Sequence, residues 1–429
     1  MPYTMKVHTL GCKVSQYESE AILEAALARG FAEGDHTADV HIINTCTVTA
    51  EGDRKCRQMI RRLVKSAPHA KILVCGCYAQ VAPEELAAIE GVDYVSGTRD
   101  KLRLVDRAVA LLAGENVPKI EVSPLENAPF EPMCITHAPR TRAYVKIEDG
   151  CENRCAYCKI PDARGLVRSK SIADTVTEVR GLAKNGVREV VLTGIETASF
   201  GRDTGESLAD LLCEVEKIDG IERIRLGSLE PTLMRPAFIE KIKKLKKLTP
   251  HFHLSMQSGC SRTLAAMRRK YNAEMALECI RALRKAIPAV QLTTDFIVGF
   301  PGETNEDFAE TVDFVKEARF LQTHIFKYSK RAGTPAATMR GQVAEDVKHD
   351  RSQRLIALCA EITNDLLCEE IRERPAQTVL FEQTVDGMWS GHTASFIEVR
   401  VHSDRPLHGE LLPVTLTKAC ATYIEAELK

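Results

Sequence analysis

The sequence contains no apolar run that approaches the roughly 20 residues of a membrane-spanning helix, so we expect no membrane partner. Its first residues lack the apolar stretch of a secretory signal peptide, which predicts a cytoplasmic protein. The net charge is only −1, so neither sign dominates. A nucleic-acid partner would therefore have to be held by a local basic patch and not by the chain as a whole.

Cysteine, by contrast, is plentiful, with 15 copies. A cytoplasmic chain keeps its thiols reduced, which argues against a disulfide framework. Thiols in this number and in this compartment favour metal ligation or redox chemistry instead.

The length of 429 residues predicts two or three domains, and the hydrophobic pattern divides the chain accordingly. Residues 1–116 alternate short strands with helices, which predicts an open parallel α/β domain. Residues 117–139 are rich in Pro and polar groups and are predicted to form a linker. Residues 140–373 repeat the alternation at a longer spacing, which predicts a partial (β/α) barrel. Residues 374–429 alternate with a period of two, which is typical of a small antiparallel β-barrel.

The same pattern predicts the individual elements. In the first domain we expect strands at residues 5–10, 40–44 and 71–75, and helices at 17–29, 52–65 and 83–89. In the barrel the expected strands are 143–148, 189–193, 223–226, 253–256, 291–298 and 323–328. The expected helices there are 171–184, 207–217, 237–248, 273–286, 305–318 and 344–373.

A loop after the first strand of the barrel carries Cys151, Cys155 and Cys158, at positions i, i+4 and i+7. Such a loop can wrap three thiolates around one face of a cubane iron–sulfur cluster. Three ligands for four irons leave one iron open to a substrate or cofactor, whereas a closed four-cysteine site can only carry electrons or hold structure. The loop also lies at the C-terminal end of a strand, where the active sites of barrels are found.

The alternative for this loop is a structural zinc site. Zinc loops favour two C-x-x-C pairs, and no matching fourth ligand is obvious here, although His137 or a distant Cys would serve. A zinc-stabilised RNA-binding protein is therefore the alternative from a different functional class.

Three further cysteines, Cys12, Cys46 and Cys77, follow the three predicted strands of the N-terminal domain. In an open parallel sheet, ligands gather outside the carboxyl ends of the strands, so these thiols are predicted to converge on a second cluster with an open iron. Cys75 competes for the third position, but it falls within an apolar strand and is predicted to pack there. The alternative is that the three are unrelated buried cysteines.

These motifs resemble a known family over essentially the whole chain. The loop with Cys151, Cys155 and Cys158, and with Tyr157 before the third Cys, resembles the radical S-adenosylmethionine (SAM) signature. Residues 9–20, 44–49 and 76–80 resemble the N-terminal domain of methylthiotransferases. Their radical-SAM domain is matched by residues 160–165, 253–259, 299–304 and 328–331, and their TRAM domain by residues 391–393. Within the family, residues 9–16 and 329–335 look most like the threonylcarbamoyladenosine tRNA methylthiotransferases.

The resemblance implies an enzyme that adds a methylthio group to C2 of N6-threonylcarbamoyladenosine beside the tRNA anticodon. It implies two 4Fe–4S clusters, one on the central cysteines and an auxiliary one, which supplies the sulfur, on Cys12, Cys46 and Cys77. SAM would be both the methyl donor and the source of a 5′-deoxyadenosyl radical that activates the inert C2–H bond. The implied partners are tRNA and a one-electron donor such as flavodoxin or ferredoxin. Two related functions stay open, with another modified tRNA adenosine or a ribosomal protein side chain as the substrate.

The resemblance also indicates where SAM would bind, because SAM contacts in this superfamily come from the ends of later strands. Here such positions are occupied by Thr193, Gly194, Ser255 and Gln257, with Glu196 close by.

The distribution of charge bears on the implied tRNA partner. The C-terminal domain carries five basic residues against eight acidic ones over residues 373–429, so it offers little attraction for phosphates. Basic residues concentrate instead in segments 54–65, 241–247 and 268–270. Aromatic residues are few in these segments, which therefore give no indication of base stacking.

Overall fold

The structure is a computed structural model that describes residues 2–126, 129–138 and 140–429. Three positions of the predicted linker, Asn127, Ala128 and Pro139, lie outside the described residues, as does Met1. Across the described part of the chain, no helix is both long and apolar enough to cross a membrane.

The N-terminal domain is a six-stranded, wholly parallel sheet in the order β2-β1-β3-β4-β5-β6, which confirms the predicted open α/β architecture. Its strands are β1 Thr4–Thr9, β2 Ala32–Glu33, β3 Val40–Thr45, β4 Lys71–Gly76, β5 Tyr94–Ser96 and β6 Ile120–Glu121. Its helices are α1 Lys13–Ala28, α2 Ala50–Ser66, α3 Cys77–Val81, α4 Pro83–Ala87 and α5 Arg103–Leu112. Separate apolar cores cover the two faces of the sheet, as parallel sheets require.

The central domain confirms the predicted partial barrel of parallel strands. It consists of two sheets, in the strand orders β11-β10-β7 and β12-β13-β14-β15. Gly227 connects the two sheets, because it lies between β11 of the first and β12 of the second. The strands are β7 Arg142–Lys146, β8 Glu148–Asp149, β9 Arg168–Ser169, β10 Glu189–Thr193, β11 Arg223–Leu226, β12 Ser228–Leu229, β13 His251–Gln257, β14 Gln291–Val298 and β15 Gln322–Lys327. Strands β7 and β15 are the two edges, so the barrel has an open side.

Helices cover the outside of this barrel. They are α6 Ile160–Arg164, α7 Ile172–Lys184, α8 Leu208–Glu216, α9 Pro236–Ile242, α10 Ser261–Ala266, α11 Ala273–Ala286, α12 Asn305–Ala318, α13 Pro335–Thr338 and α14 Glu345–Glu373. The helix predicted at 237–248 is wrong at its end. The N–H groups of Lys246 and Lys247 donate to the Glu216 carboxylate at 2.8 and 3.1 Å. They therefore do not donate to helix carbonyls.

The C-terminal domain is a closed five-stranded barrel in the order β16-β17-β18-β20-β19, as predicted. Its strands are β16 Ala376–Val385, β17 Met388–Thr393, β18 Glu398–Val401, β19 Leu411–Ala419 and β20 Ile424–Leu428. Strands β18 and β20 pair in parallel, so the barrel is not wholly antiparallel. One continuous apolar core runs from the central domain into this barrel.

The C-terminal barrel closes the lower end of the central barrel, where strands β10 and β11 begin. The Phe396 ring stacks on His251 and on His392, with centroids 4.6 and 4.7 Å apart, and the Arg225 guanidinium lies 4.8 Å from its centre. Arg223 donates to the carbonyl oxygens of His392 and Thr378 at 3.0 and 2.7 Å. These contacts fix the C-terminal domain against the barrel.

We expect Phe396→Ala to loosen this docking, because it removes the ring that fills the junction between the two barrels. The loss should be about 2 kcal/mol of unfolding free energy, measured by thermal or urea unfolding. Tyr423→Ala is the matched control, since Tyr423 stacks on Arg400 within the C-terminal barrel itself. Equal losses in the two variants would contradict a docking role for Phe396.

Candidate active site

The three N-terminal cysteines lie at the ends of three neighbouring strands. Cys12 directly precedes α1, Cys46 follows β3, and Cys77 is the first residue of α3. Burial raises the pKa of the Cys46 thiol to about 12, and the nearby Cys77 and Cys12 thiols add to the rise. The three thiols are therefore within electrostatic range of one another, as the strand-end rule predicts.

The two other cysteines of this region are placed differently. Cys75 is fully buried inside β4, and its sulfur accepts a contact from Lys101 Nζ at 3.5 Å. Cys56 is buried on α2, where its sulfur lies 3.5 Å from the backbone nitrogen of Cys46. The prediction that Cys75 packs within its strand is confirmed.

The central cysteine loop is shaped by Gly150. Its φ of +93° is in the left-handed region, and a Cβ there would lie 1.9 Å from the Leu166 carbonyl oxygen. The N–H of Cys151 donates to the Gly165 carbonyl at 3.0 Å, and that of Cys158 to the Cys155 carbonyl at 3.0 Å. The backbone thus folds the three thiols of the loop around one side of a cavity.

Each set of cysteines receives a hydrogen bond from one buried arginine. Arg164 Nε donates to Cys77 Sγ at 3.2 Å, and Arg269 Nη1 donates to Cys155 Sγ at 3.2 Å. Burial raises the pKa of the Cys77 thiol, and the charge of Arg164 opposes this rise. The sequence analysis did not single out Arg164 or Arg269 as site residues. Arg269 belongs to the basic segment 268–270, but its side chain is only 5% exposed.

Arg164 also joins the two domains through a buried network of charges. Its guanidinium contacts Glu18 of α1 at 3.2 Å and Asp149, two residues before Cys151, at 3.2 Å. Lys101 and Lys146 lie 3.4 and 3.0 Å from the same Glu18 carboxylate. Although burial alone would raise it, the cations of Arg164, Lys101 and Lys146 hold the pKa of Glu18 well below its usual range.

A second contact between the two domains is made by the segment that follows β15. Arg331, which follows β15, pairs with Asp53 of α2 at 2.7 Å and donates to Thr47 Oγ1 at 2.6 Å. The backbone N–H of Ala50 donates to Ser329 Oγ at 3.3 Å. The segment just after Cys46 is therefore held against the edge strand of the central barrel.

The cavity between these contacts has a volume of about 280 Å³. Both domains line it: Val48 and Thr49 come from the N-terminal domain, and all three cysteines of the central loop come from the barrel. Its remaining polar wall includes Asn153, Glu196, Ser255, Gln257, Arg269, Asp295, Lys327 and Ser329. Its apolar wall includes Ile195, Ile297 and Phe326.

The structure brings together some of the residues expected to contact SAM. Ser255 and Gln257 line the cavity with the central cysteines, and so does Glu196. Thr193 is buried at the end of β10, and Gly194 packs so closely on Glu148 that a Cβ would lie 2.4 Å from its Oε2. Of the four residues expected to contact SAM, Ser255 and Gln257 therefore line the cavity, whereas Thr193 and Gly194 do not.

Each set supplies three thiols, which is the donor chemistry that a 4Fe–4S cluster with one open iron requires. Among residues 2–126, 129–138 and 140–429, no three His, Cys, Asp or Glu side chains gather closely enough to hold one ion. A cubane cluster spreads its thiolate ligands over separate irons, so its ligands stand further apart than those of zinc. Glu196 Oε1 is buried without a hydrogen-bond partner in the described residues, which suits a cationic ligand beside the thiols.

Comparisons with known proteins agree with this geometry. Residues 145–315 match the family described as the radical SAM superfamily, and residues 4–97 match "Uncharacterized protein family UPF0004". The fold resembles the solved structure of the radical SAM methyltransferase TsrM from Kitasatospora setae, with a TM-score of 0.57 and 17% identity. That similarity covers 79% of this chain and 77% of TsrM. The fold and the cysteine loop therefore define a radical SAM enzyme, a class whose cofactors are a 4Fe–4S cluster and SAM.

Proteins of similar sequence indicate the family within this class. The chain is 40% identical to threonylcarbamoyladenosine tRNA methylthiotransferase MtaB of Bacillus subtilis (strain 168), over 99% of this chain and 96% of the relative. It is 38% identical to MtaB of Thermotoga maritima, over 81% and 80%. It is also 34% identical to tRNA-2-methylthio-N(6)-dimethylallyladenosine synthase of Acetivibrio thermocellus, over 98% and 90%. The chain belongs to the radical SAM tRNA methylthiotransferase family.

We expect Arg164→Met to destabilise the protein by about 3–5 kcal/mol, because it leaves buried carboxylates with an incomplete set of partners. Urea unfolding of the purified protein measures the loss. Lys241→Met is the matched control, since it breaks an exposed ion pair with Asp210 and should cost at most about 1 kcal/mol. Similar losses in the two variants would show that the buried network does not hold the domains together.

Proposed function

We propose that the protein adds a methylthio group to C2 of N6-threonylcarbamoyladenosine beside the tRNA anticodon. The observation that carries this proposal is a cavity between two domains that is lined by the three central cysteines and by the residues that closely follow Cys46. Val48 and Thr49, just after Cys46, line the same cavity as the central cysteines. A base bound there would lie within reach of both sets.

In this proposal each set of three cysteines holds a 4Fe–4S cluster with one open iron. Cys151, Cys155 and Cys158 hold the cluster that binds SAM, and Cys12, Cys46 and Cys77 hold the auxiliary cluster that supplies sulfur. When bound, these groups supply the one-electron chemistry that an unactivated C2–H bond requires, because this position is neither acidic nor electrophilic enough for acid–base catalysis. A small one-electron donor such as flavodoxin or ferredoxin would serve the first cluster.

The residues of the chain orient and hold these groups. Arg269 donates to Cys155 Sγ at 3.2 Å and to the Ser255 carbonyl at 3.1 Å, so it joins the cysteine loop to the polar wall. The unpartnered Glu196 oxygen would accept from the ammonium of SAM, and Ser255 and Gln257 would contact its other polar groups. Thr193 and Gly194 would support this wall from the end of β10.

Polar side chains inside the central barrel, here called the polar floor (His253, Asp295 and His324), support the choice of the threonylcarbamoyl substrate over the dimethylallyl one. Inside the barrel, His253 Nε2 lies 3.2 Å from Asp295 Oδ2, and His324 stands 6.2 Å from His253 between ring centres. Burial lowers the pKa of Lys13, the residue after Cys12, and the charges of Arg225 and Arg142 lower it further. Asp295 lines the cavity, and a carbamoyl N–H group can donate to its carboxylate, whereas a dimethylallyl group cannot.

The boundaries of the proposed domains are those expected from the sequence. We assign residues 1–116 to the auxiliary-cluster domain, 117–139 to the linker, 140–373 to the radical-SAM domain and 374–429 to a TRAM-like domain that contacts RNA. The end of α14 at Glu373 supports the last boundary. Strand β6, at Ile120–Glu121, continues the first sheet into the linker.

Cysteine substitutions test the assignment of the clusters. Anaerobically reconstituted wild-type protein should contain about eight irons, and about four when Cys151, Cys155 and Cys158 are all Ala. Cys12→Ala, Cys46→Ala or Cys77→Ala should keep SAM cleavage and lose methylthiolation of tRNA, measured by nucleoside analysis. Cys75→Ala is the control and should keep both. Normal methylthiolation by the Cys77→Ala variant, or bound zinc in place of iron, would contradict the proposal.

The substrate is tested with anticodon stem–loops that differ only at the target adenosine. We expect methylthiolation of the threonylcarbamoyl form to exceed that of the dimethylallyl form at least about tenfold, because only the former satisfies the polar floor. The reverse preference would assign the protein to the dimethylallyladenosine branch. Activity on a ribosomal protein, and on neither RNA, would contradict a tRNA substrate altogether.

A further inference from the structure

Phe326 differs from the other aromatic residues of the central domain because its side chain is exposed. It is 46% exposed, and the exposed face opens into the cavity that holds the central cysteines. Neighbouring aromatic residues have ring partners: Tyr157 contacts Phe300 at 6.5 Å, and Phe300 contacts Tyr328 at 5.5 Å. An aromatic surface left open beside a reaction site indicates a ligand that covers it.

The position of Phe326 relative to the two cysteine sets follows from the topology. It lies on edge strand β15, while the central cysteine loop follows the other edge strand, β7. The N-terminal domain covers the gap between these edges, since the Ala50 N–H donates to Ser329 Oγ at 3.3 Å, three residues after Phe326. Phe326 therefore borders the side of the cavity where the N-terminal domain meets the open edge of the barrel.

The chemistry of the cavity wall around Phe326 suits a flat, weakly polar group. Phe326 pairs in register with Ile297, so both side chains point to the same side of the sheet, and Ile297 also lines the cavity. Val48, which is 57% exposed, adds a third apolar side chain from the N-terminal domain. The hydrogen-bonding groups that would hold SAM, Glu196, Ser255 and Gln257, come from the segment after β10 and from β13.

The surroundings of the cavity mouth indicate RNA as the source of that flat group. Lys327 lines the cavity next to Phe326, and Lys330 is exposed just beyond it. Helix α2 begins two residues after Val48 and exposes Lys55 in its second turn. Cations around an aromatic surface are the usual arrangement by which proteins hold a phosphate backbone and stack an unpaired base.

We propose that Phe326 is the stacking platform for the target adenine, whose ring face it covers beside the three central cysteines while the C2 edge of the base stays uncovered. This inference rests on the proposed function, because it takes the substrate to be an RNA base. Phe326 is then the residue that positions the base, and the cysteine motifs do not identify such a residue. A base that enters the cavity must leave the stack of its own loop, and the Phe326 ring replaces part of the stacking that is lost.

The test compares Phe326→Ala with Phe326→Tyr and Phe326→Trp in reconstituted holoenzyme. Binding of an anticodon stem–loop with an intact target adenosine is measured by fluorescence anisotropy. Phe326→Ala should weaken binding by about 5-fold to about 100-fold, the range for loss of one stacked base, and both aromatic variants should restore it. Tyr3→Ala is the control, because Tyr3 is a comparably exposed aromatic on the N-terminal domain away from the cavity.

A second stem–loop with an abasic target position separates stacking from general damage to the site. Wild type and Phe326→Ala should bind this abasic loop equally. Weaker binding of SAM in Phe326→Ala, or an equal loss of affinity for the abasic loop, would overturn the inference. If wild type methylthiolates a different RNA base, the proposed substrate fails, yet the same comparison on that base still decides the role of Phe326.

Discussion

The buried charge network around Arg164 is the interaction on which the arrangement of the site depends. Ionised groups removed from water are costly unless each has close partners, and Arg164 finds its partners in both domains. It lies six residues after Cys158 and donates to Cys77, so one side chain connects the segment after the central cysteine loop to the N-terminal domain. Arg164 also contacts Asp149, just before that loop, and Glu18 of the N-terminal domain, so the contacts that hold the two domains together also position the loop.

The C-terminal barrel plays a structural part that its charge does not suggest. With more acidic than basic residues, it offers few cations to a phosphate backbone. It nevertheless supplies Phe396 and several carbonyl oxygens to the lower end of the central barrel, where Glu189 receives Arg225 at 3.0 Å. Without that cover, the arginines at the start of β7 and β11 would lie in an open barrel end. The exposed cations near the cavity mouth come instead from α2 and from the segment after β15.

The sequence predicts most of the fold because its periodic segments are long and their ends are marked by turn residues. Strands β10, β11 and β14 and helices α11 and α12 agree with the predicted bounds to the residue. What could not be predicted depends on tertiary contacts. The end of α9 is decided by Glu216, a residue from another helix, and Arg269 is buried by its contacts with Cys155 and Glu230. No local pattern distinguishes these from an ordinary lysine-rich helix or a basic surface segment.

The exposure of Phe326 is another feature that the sequence pattern does not predict. In the sequence it is an ordinary apolar residue of a strand, and its alternation with Ile325 predicts only that one of the two faces the interior. Its exposure arises because β15 is an edge strand at the open side of a partial barrel, and because a second domain closes that side without filling it. A fully closed barrel would have packed this position with side chains from the neighbouring strand. The open side is thus what allows one cavity to present polar groups on one wall and an aromatic surface on another. Two ligands that must meet, a sulfonium cofactor and a planar base, need that separation of walls.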